Sequence, residues 1–320
     1  QALYGSGYNY AFNSNKSNGL AMTTFSNYAL EWEETAITNI GLDFGVLNNR
    51  LNGTIEVYDK KTDGILYRPT LPESLNQFTS PLQNLAGVNN KGLEITLGWN
   101  DRVGDISYSV SGNFTYNKNK VTKYKGELVR EWRTDANGNK VWYQNVGTVA
   151  NGSSNLIVEG HEMNEYYMMN PYKGNGSYFN SDGTVNINGG PKDGMIRTEA
   201  DMKWLQAMFD AGYKFYPNQA IGKDKIWYGD MIYADYNGDG IYGNDDDRDF
   251  QGVSWRPKYY FGLQASMTWK GFDLSMNWAG AAGFKIDYYK QTQNSVSVTH
   301  GNGLAYAIHH DHYFFDHENP

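Results

Sequence analysis

The sequence predicts an all-β fold, and three observations favour a portion of an antiparallel transmembrane β-barrel with short periplasmic turns and long extracellular loops. Apolar and polar residues alternate with a period of two in three strand pairs, at about residues 36–60, 87–118 and 256–283. The strands reach the roughly 9–11 residues that a tilted strand needs to cross a bilayer. Each pair contains a short turn, whereas long segments, about 61–86 and 119–255, join one pair to the next. Short turns at one end and long loops at the other are typical of outer-membrane barrels.

Each strand pair has the same organisation around its turn. The first pair turns at residues 48–50, the second at 101–104 and the third at 270–271. Apolar residues or glycine occupy every second position of the first pair, at Ile40, Leu42, Phe44, Val46, Leu51, Gly53, Ile55 and Val57. The third pair continues the pattern with Tyr259, Phe261, Leu263, Ala265, Met267, Trp269, Phe272, Leu274, Met276 and Trp278. Such strands have one apolar and one polar face.

Aromatic residues lie near the ends of these strands. Trp99, Trp269 and Phe272 flank the short turns, and Tyr259 begins a strand. Amphipathic rings favour the headgroup level of a membrane, so these positions suit an interfacial girdle. The same residues would also suit the core of a soluble β-sandwich.

Composition narrows the possible partners. The chain has 320 residues, a formal net charge of −8 and no cysteine. The negative net charge argues against nucleic acid and against an anionic lipid surface as partners, and the lack of cysteine excludes disulfides and thiolate metal sites. No stretch approaches the ~20 apolar residues of a membrane helix. Because the chain begins at Gln1 without a signal peptide, we expect a mature product or a fragment of a longer one.

An acidic, glycine-rich loop predicts a structural calcium site. Calcium loops offer side-chain oxygens at alternating positions, then a backbone carbonyl and a closing carboxylate. The corresponding ligands here are Asp235, Asn237, Asp239, the carbonyl of Ile241, and Asp246. The alternative interpretation is a solvated turn rich in Asp, Asn and Gly.

The segment between the second and third strand pairs contains one predicted helix and several aromatic residues. Thr198 to Ala211 has a helical pattern, and Thr198 with Asp201 resembles a capping box. Aromatic rings can stack on sugars or contact partner proteins, although they can equally pack within a loop. The candidates for substrate contact are Trp142, Tyr143, Tyr166, Tyr167 and Tyr172.

Several motifs, in the same order along the chain, resemble the SusC/RagA-type TonB-dependent outer-membrane transporters. They include Thr38-Asn39-Ile40-Gly41-Leu42-Asp43-Phe44-Gly45, Lys91-Gly92-Leu93-Glu94, Asp235-Tyr236-Asn237-Gly238-Asp239-Gly240 and Lys270-Gly271-Phe272-Asp273-Leu274-Ser275. The resemblance covers most of residues 31–283 and is poor in residues 121–220. It implies that residues 1–320 form part of one barrel domain, in the C-terminal portion of the barrel, and that the N-terminal plug domain is absent.

The resemblance also implies a function and a set of partners. The family imports oligosaccharides or peptides across the bacterial outer membrane, driven by TonB, and a SusD-like surface lipoprotein closes the barrel mouth. TonB would act through the N-terminal part of the transporter. Membrane lipid would contact the apolar strand face, while Ser107, Ser109, Asn113 and Gln264 would face the lumen. The family's loop looks like a calcium or magnesium site. The loop of this chain is one residue longer before Arg248, so the resemblance implies that Asp247 could be the closing ligand instead of Asp246. The expected activity is transport, not catalysis.

A second function from a different class fits part of the same data. A soluble, calcium-stabilised β-sandwich that binds glycans would also combine alternating strands, aromatic residues and an acidic loop. In that protein both faces of the sheet would be buried or solvated, and no apolar face would be left for lipid. The exposure of the apolar face therefore separates the two hypotheses.

Overall fold

The structure is a computed structural model that describes residues 3–12, 15–68, 80–149 and 155–286. Its strands are β1 (Leu3–Ser6), β2 (Tyr10–Phe12), β3 (Asn15–Ser17), β4 (Leu20–Thr24), β5 (Glu34–Val46), β6 (Leu51–Tyr67), β7 (Gln83–Val103), β8 (Ile106–Lys123), β9 (Arg130–Thr134), β10 (Lys140–Gln144), β11 (Asn155–Leu156), β12 (Glu165–Met169), β13 (Lys214–Phe215), β14 (Ile241–Tyr242), β15 (Arg248–Phe250), β16 (Tyr259–Trp269) and β17 (Phe272–Ala282). The helices are α1 (Val146–Val149), α2 (Glu199–Asp210) and a 3-10 turn at Asp245–Asp247. None of the helices in these ranges is long and apolar enough to span a membrane.

The chain divides into two compact units. The sheet unit comprises residues 1–128, 146–164 and 256–284, and the insert unit comprises residues 129–145, 165–255 and 285–320. The sheet unit contains all the long strands, and the insert unit contains α2 with several short strands.

A six-stranded antiparallel sheet in the order β17-β16-β8-β7-β6-β5 forms the centre of the sheet unit. This arrangement confirms the all-β, antiparallel prediction and a short turn within each strand pair. The second turn lies at residues 104–105, because residues 101–103, which were predicted to turn, belong to β7. At the turn between β16 and β17, Lys270 and Gly271 have φ values of 46° and 86°. Positive φ at both central residues is the hairpin geometry that matches the twist of the flanking strands, and glycine adopts it without steric cost.

The ladder register aligns the apolar residues of all six strands into one face, which we call the outer face. One row runs Leu42, Ile55, Ile95, Phe114, Phe261 and Gly280, and the next runs Phe44, Gly53, Leu97, Gly112, Leu263 and Trp278. The alternate rows form the inner face, for example Asp43, Thr54, Thr96, Asn113, Gly262 and Ala279. Because side chains alternate along each strand, one face is apolar and the other is polar or small.

The strands extend further than the alternation indicated. β6 continues to Tyr67 and β7 begins at Gln83, so both ends of the expected loop at 61–86 are strand, while residues 69–79 lie outside the described part. β8 likewise continues to Lys123. Polar residues there hide the period of two, but the backbone ladder continues, as the pairing of Thr62 with Val88 shows. Backbone hydrogen bonds form regardless of side-chain polarity.

The insert unit has a hydrophobic core of its own, although the sequence led us to interpret 119–255 as a polar loop. Trp204, Leu205 and Met208 of α2 are fully buried, each 0% exposed. The other buried members of this core are Tyr172, Ile196, Phe215, Ile226, Ile232 and Tyr242. The predicted capping box is confirmed, because Thr198 accepts from the N–H of Asp201 while the Asp201 carboxylate accepts from the N–H of Thr198.

Candidate functional site: a two-faced sheet and an acidic loop

The inner face carries the four residues that the sequence assigned to a lumen. Ser107 pairs with Arg102 and Thr268, and Ser109 pairs with Asn100 and Ser266. These six residues contribute to the lining of a shallow depression of about 490 Å³. Asn113 and Gln264 lie on the same face, further from the turns. Hydroxyl and amide groups dominate this surface, so it can form many hydrogen bonds to a polar solute.

The outer face exposes its apolar side chains. Ile40 is 74% exposed, Leu97 45%, Leu263 44% and Trp278 51%. Rings line it at both ends: Tyr116 stacks on Tyr259 at a centroid distance of 5.1 Å, and Trp269 on Phe272 at 6.4 Å. An apolar area spread over six strands is far larger than the patches normally exposed by soluble monomers. Its natural environment is therefore apolar.

The first half of the acidic loop is held in place by its own carboxylates. Asp235 Oδ1 accepts from the N–H groups of Gly238 and Asp239 at 2.7 and 3.2 Å, and its Oδ2 accepts from Gly240 N–H at 2.9 Å. Asn237 Oδ1 accepts from Asp239 N–H at 3.1 Å, and Asp239 Oδ1 accepts from Ile241 N–H at 2.7 Å. Side-chain oxygens therefore converge on the inside of a tight turn.

Asp246 and Asp247, the two candidate closing ligands, have different environments. Asp247 is 1% exposed; its Oδ1 accepts from Tyr236 N–H at 2.7 Å, and its Oδ2 accepts from Gly243 and Asn244 N–H at 2.8 and 3.1 Å. Asp246 is partly buried, and its Oδ1 accepts from Gln144 Nε2. Asp247 thus organises the backbone of the loop, whereas Asp246 is committed to a single hydrogen bond among the described residues.

Negative charge accumulates in this loop. Burial raises the pKa of Asp247 to about 6, and the negative charge of Asp235 raises this pKa as well. The hydrogen bonds from backbone N–H groups act in the opposite direction and lower the pKa of Asp247. Burial also raises the pKa of Asp246, and the charges of Asp239 and Asp245 raise it further. A divalent cation would relieve this repulsion, and carboxylate, amide and carbonyl oxygens are the ligands that calcium prefers. Within the described ranges, however, no three acidic or histidine side chains are grouped closely enough to hold an ion.

A hairpin that was not predicted from the sequence packs on this loop. β9 and β10 pair around a turn at Asn137 and Gly138, a turn signal that could have revealed them. Trp132 Nε1 donates to the carbonyl of Asn237 at 3.0 Å, and the Arg130 guanidinium lies 4.4 Å from the ring centroid of Tyr236. A hydrogen bond and a cation–π contact therefore join the β9–β10 hairpin to the acidic loop.

The five candidate substrate-contact residues lie in different environments. Tyr166, Tyr167 and Tyr172 are 5%, 4% and 7% exposed. Their hydroxyls donate to Lys285 O, Gln144 Oε1, and the carbonyls of Ile187 and Gly189, respectively. The Arg133 guanidinium lies 3.4 Å from the ring centroid of Tyr143, and Trp142 packs edge-on against Trp132. In this conformation the chain itself covers much of these rings, and substrate contact by any of them stays a prediction.

Comparison with known proteins shows which family this fold and sequence resemble. Residues 1–147 match the family model described as "TonB dependent receptor-like, beta-barrel". The chain is 31% identical over 195 residues to TonB-dependent receptor P39 of Formosa agariphila, covering 57% of this chain and 18% of that protein. It is 35% identical over 133 residues to TonB-dependent receptor SusC of Bacteroides thetaiotaomicron, covering 39% of this chain and 13% of that protein. The chain thus spans less than a fifth of the length of these two relatives.

Solved structures show the same fold. The RagAB peptide importer in its "open-open" state aligns with 89% of this chain and 24% of that chain, with a TM-score of 0.57 and 19% sequence identity. The "closed-closed" state of the same importer gives a TM-score of 0.55. Together with the family model and the curated relatives, these matches make the chain similar to part of a SusC/RagA-type TonB-dependent receptor, and its strands have the antiparallel arrangement of such a β-barrel.

Proposed function

We propose that this chain, as a member of the SusC/RagA-type TonB-dependent receptors, forms part of the wall of an outer-membrane barrel that imports nutrients. The observation that carries this proposal is the continuous, exposed apolar outer face opposite a polar inner face on six antiparallel strands. Lipid acyl chains contact the apolar side chains of the outer face, and solute passes along the polar inner face. The soluble sandwich hypothesis is disfavoured, because it would leave side chains such as Ile40 in water.

Adjacent residues on β16 provide a matched test of this orientation. Leu263 lies on the outer face and Gln264 on the inner face, near the middle of the strand. Arginine on the lipid face costs about 2–4 kcal/mol near the bilayer midplane, whereas lumen positions tolerate charge. We therefore expect Leu263→Arg to reduce sharply the folded, heat-modifiable protein recovered from outer membranes, and Gln264→Arg to leave it nearly unchanged. Equal effects of the two substitutions would refute the assignment of the faces.

We further propose that the imported substrate is an oligosaccharide, and that a SusD-like surface lipoprotein closes the extracellular mouth. Mostly uncharged hydrogen-bonding groups on the inner face, such as Ser107, Ser109 and Asn113, suit a neutral, hydroxyl-rich solute. The related RagAB structures are described as a peptide importer, so peptide is the competing substrate. Uptake of labelled oligosaccharides and labelled peptides by cells with and without this protein separates the two. Loss of peptide uptake alone would overturn the oligosaccharide assignment.

We also propose a structural calcium (or magnesium) site in the acidic loop. Asp235, Asn237, Asp239, the carbonyl of Ile241, and Asp246 or Asp247 would hold the ion. Because their carboxylates are not grouped closely enough in the described conformation, ion binding would have to draw them together, which would neutralise their charge and stiffen the loop. Their oxygen chemistry fits a hard cation, and the charge repulsion at Asp246 and Asp247 supports this assignment.

Thermal unfolding with calcium and with a chelator tests the ion site. Calcium at about 100 times its dissociation constant should stabilise the loop by about 2.7 kcal/mol. Asp239→Asn should abolish most of that gain, whereas Asp245→Asn, at an exposed carboxylate outside the predicted ligand set, should retain it. If the wild-type protein has the same unfolding temperature in calcium and in chelator, the proposed ion site is refuted.

A further inference from the structure

The outer face changes character abruptly at the end opposite the short turns. The last apolar row includes Val57, Leu93 and Tyr116. Two polar rows follow it across β5, β6, β7 and β8. The first is Thr38, Asp59, Lys91 and Lys118, and the second is Ala36, Lys61, Asn89 and Lys120. The register is regular through both rows, so these side chains lie on the same face as the apolar rows. Four lysines, Lys61, Lys91, Lys118 and Lys120, therefore cluster at the border of the apolar surface. We call them the basic patch.

All four lysines of the basic patch are exposed. Within the part of the chain that the structure describes, only Lys91 forms an ion pair, with Asp59 at 3.2 Å. Four lysines against this one aspartate leave a local charge of +3 in a chain whose net charge is −8. The nearest further carboxylates on this face, those of Glu34 and Asp63, lie one row beyond.

The arrangement of the basic patch is unfavourable without an anion. Lys91 pairs directly with Lys118 across neighbouring strands, and like charges directly opposite destabilise a sheet. Lys120 lies two positions beyond Lys118 on β8, and its positive charge adds to the repulsion between Lys91 and Lys118. At the turn end, by contrast, Arg50 pairs with Asp101 at 3.1 Å and Lys270 with Asp105 at 3.6 Å. The excess of cations is thus specific to one end of the sheet.

The position of the basic patch identifies the source of the anion. The apolar residues of β16 extend from Tyr259 to Trp269, 11 residues, or about 33 Å along the strand at ~3.3 Å per residue. At a tilt of about 45° this spans about 23 Å, close to the ~25 Å apolar band of outer-membrane barrels. The basic patch then lies at headgroup level, in the outer leaflet, because the short turns of such barrels are periplasmic.

We propose that the basic patch binds phosphate-bearing lipid headgroups of the outer leaflet. This inference rests on the proposed function, because it needs the outer face to contact lipid. Lysine ammonium groups bind phosphates as point charges, and the apolar rows directly below would hold the acyl chains of the same lipid. The Tyr116 and Tyr259 rings lie in the first apolar row, at the level where amphipathic rings favour the interface.

The test replaces all four lysines of the basic patch with glutamine and compares a matched control. The control variant replaces four exposed lysines elsewhere, Lys140, Lys203, Lys214 and Lys223, and so changes the net charge equally. The native polypeptide carrying this chain, purified in a zwitterionic detergent, is titrated with fluorescent phosphatidic acid, with phosphatidylcholine and with inorganic phosphate. Each lysine near an anionic headgroup contributes about fivefold in affinity, so the basic-patch variant should lose at least about tenfold for phosphatidic acid. The control variant should match the wild type.

Each other outcome overturns a specific part of the inference. Equal binding of phosphatidic acid by the wild type and the basic-patch variant would overturn the site. Equally good competition by inorganic phosphate would show a free-anion site, not a lipid site. If the fourfold variant does not fold, Lys91→Gln with Lys118→Gln provides the same comparison with fewer changes. A polypeptide that stays in the aqueous fraction and binds neither lipid would refute the proposed function itself, whereas a membrane-embedded protein indifferent to the basic-patch substitutions would refute this inference alone.

Discussion

Leu42, Leu263 and Trp278 of the sheet unit are 61%, 44% and 51% exposed, while Trp204, Leu205 and Met208 of the insert unit are 0% exposed. Both sets are large apolar side chains within one polypeptide. The insert unit buries them against each other, as a water-soluble domain does. The sheet places its large apolar side chains on the outer face, where they are exposed and can contact an apolar solvent such as lipid. Apolar residues therefore stabilise the two units through different surroundings, which makes their responses to substitution different.

The largest expected difference concerns tryptophan. Trp204→Ala should destabilise the insert unit by about 3–5 kcal/mol, because it leaves a cavity in a closed core. Trp278→Ala should cost no more than about 1 kcal/mol in lipid or detergent, because acyl chains fill the space. Hydrogen exchange in peptides from α2 and from β17 measures both effects. A similar loss of protection in the two variants would contradict the comparison.

A buried carboxylate should give an intermediate effect. Asp247→Ala removes the acceptor for the N–H groups of Tyr236, Gly243 and Asn244, so we expect a cost of about 1–3 kcal/mol in the insert unit. Asp245→Ala is the control, because its side chain is 85% exposed and loses only an ion pair with Arg248. Local exchange rates in residues 235–250 provide the measurement. Equal effects of the two substitutions would argue against the structural role of Asp247.

The smallest effect is a pH dependence confined to the insert unit. Burial alone would raise the pKa of Asp201, but hydrogen bonds from Tyr178, Arg197 and Thr198 lower it below its usual value. Stability from this group is therefore complete above the unfolded pKa of about 3.9 and is lost as the pH falls through the lower folded pKa.

The comparison for this prediction is Asp201→Asn. The wild type should be more stable than the variant at neutral pH, and the difference should shrink only below about pH 4. Thermal unfolding of the insert unit between neutral and acidic pH measures this difference. A difference that shrinks well above that range would contradict the lowered pKa.

Most of the sheet could be predicted because its periodicity is local. The alternation in Ile40 to Val57 and in Tyr259 to Trp278 fixed which residues share a face, and the short turns fixed which strands pair. The cap of α2 was equally readable, since Thr198 and Asp201 are only three residues apart. The ends of the strands were harder to predict. β6 and β7 continue through polar residues, where apolar and polar side chains no longer alternate.

The two-faced strands, the turns and the acidic loop could be predicted from the sequence, because each depends on residues close together in the chain. No sequence pattern predicted that Tyr172, Trp204 and Tyr242 meet in one core or that Trp132 donates to the loop carbonyl of Asn237, and both became visible only in the folded chain. Likewise, the four lysines of the basic patch come from three strands, and only the ladder register places them side by side. The physical reason is that side-chain periodicity is a property of each strand, whereas contacts between distant segments depend on how the whole chain packs.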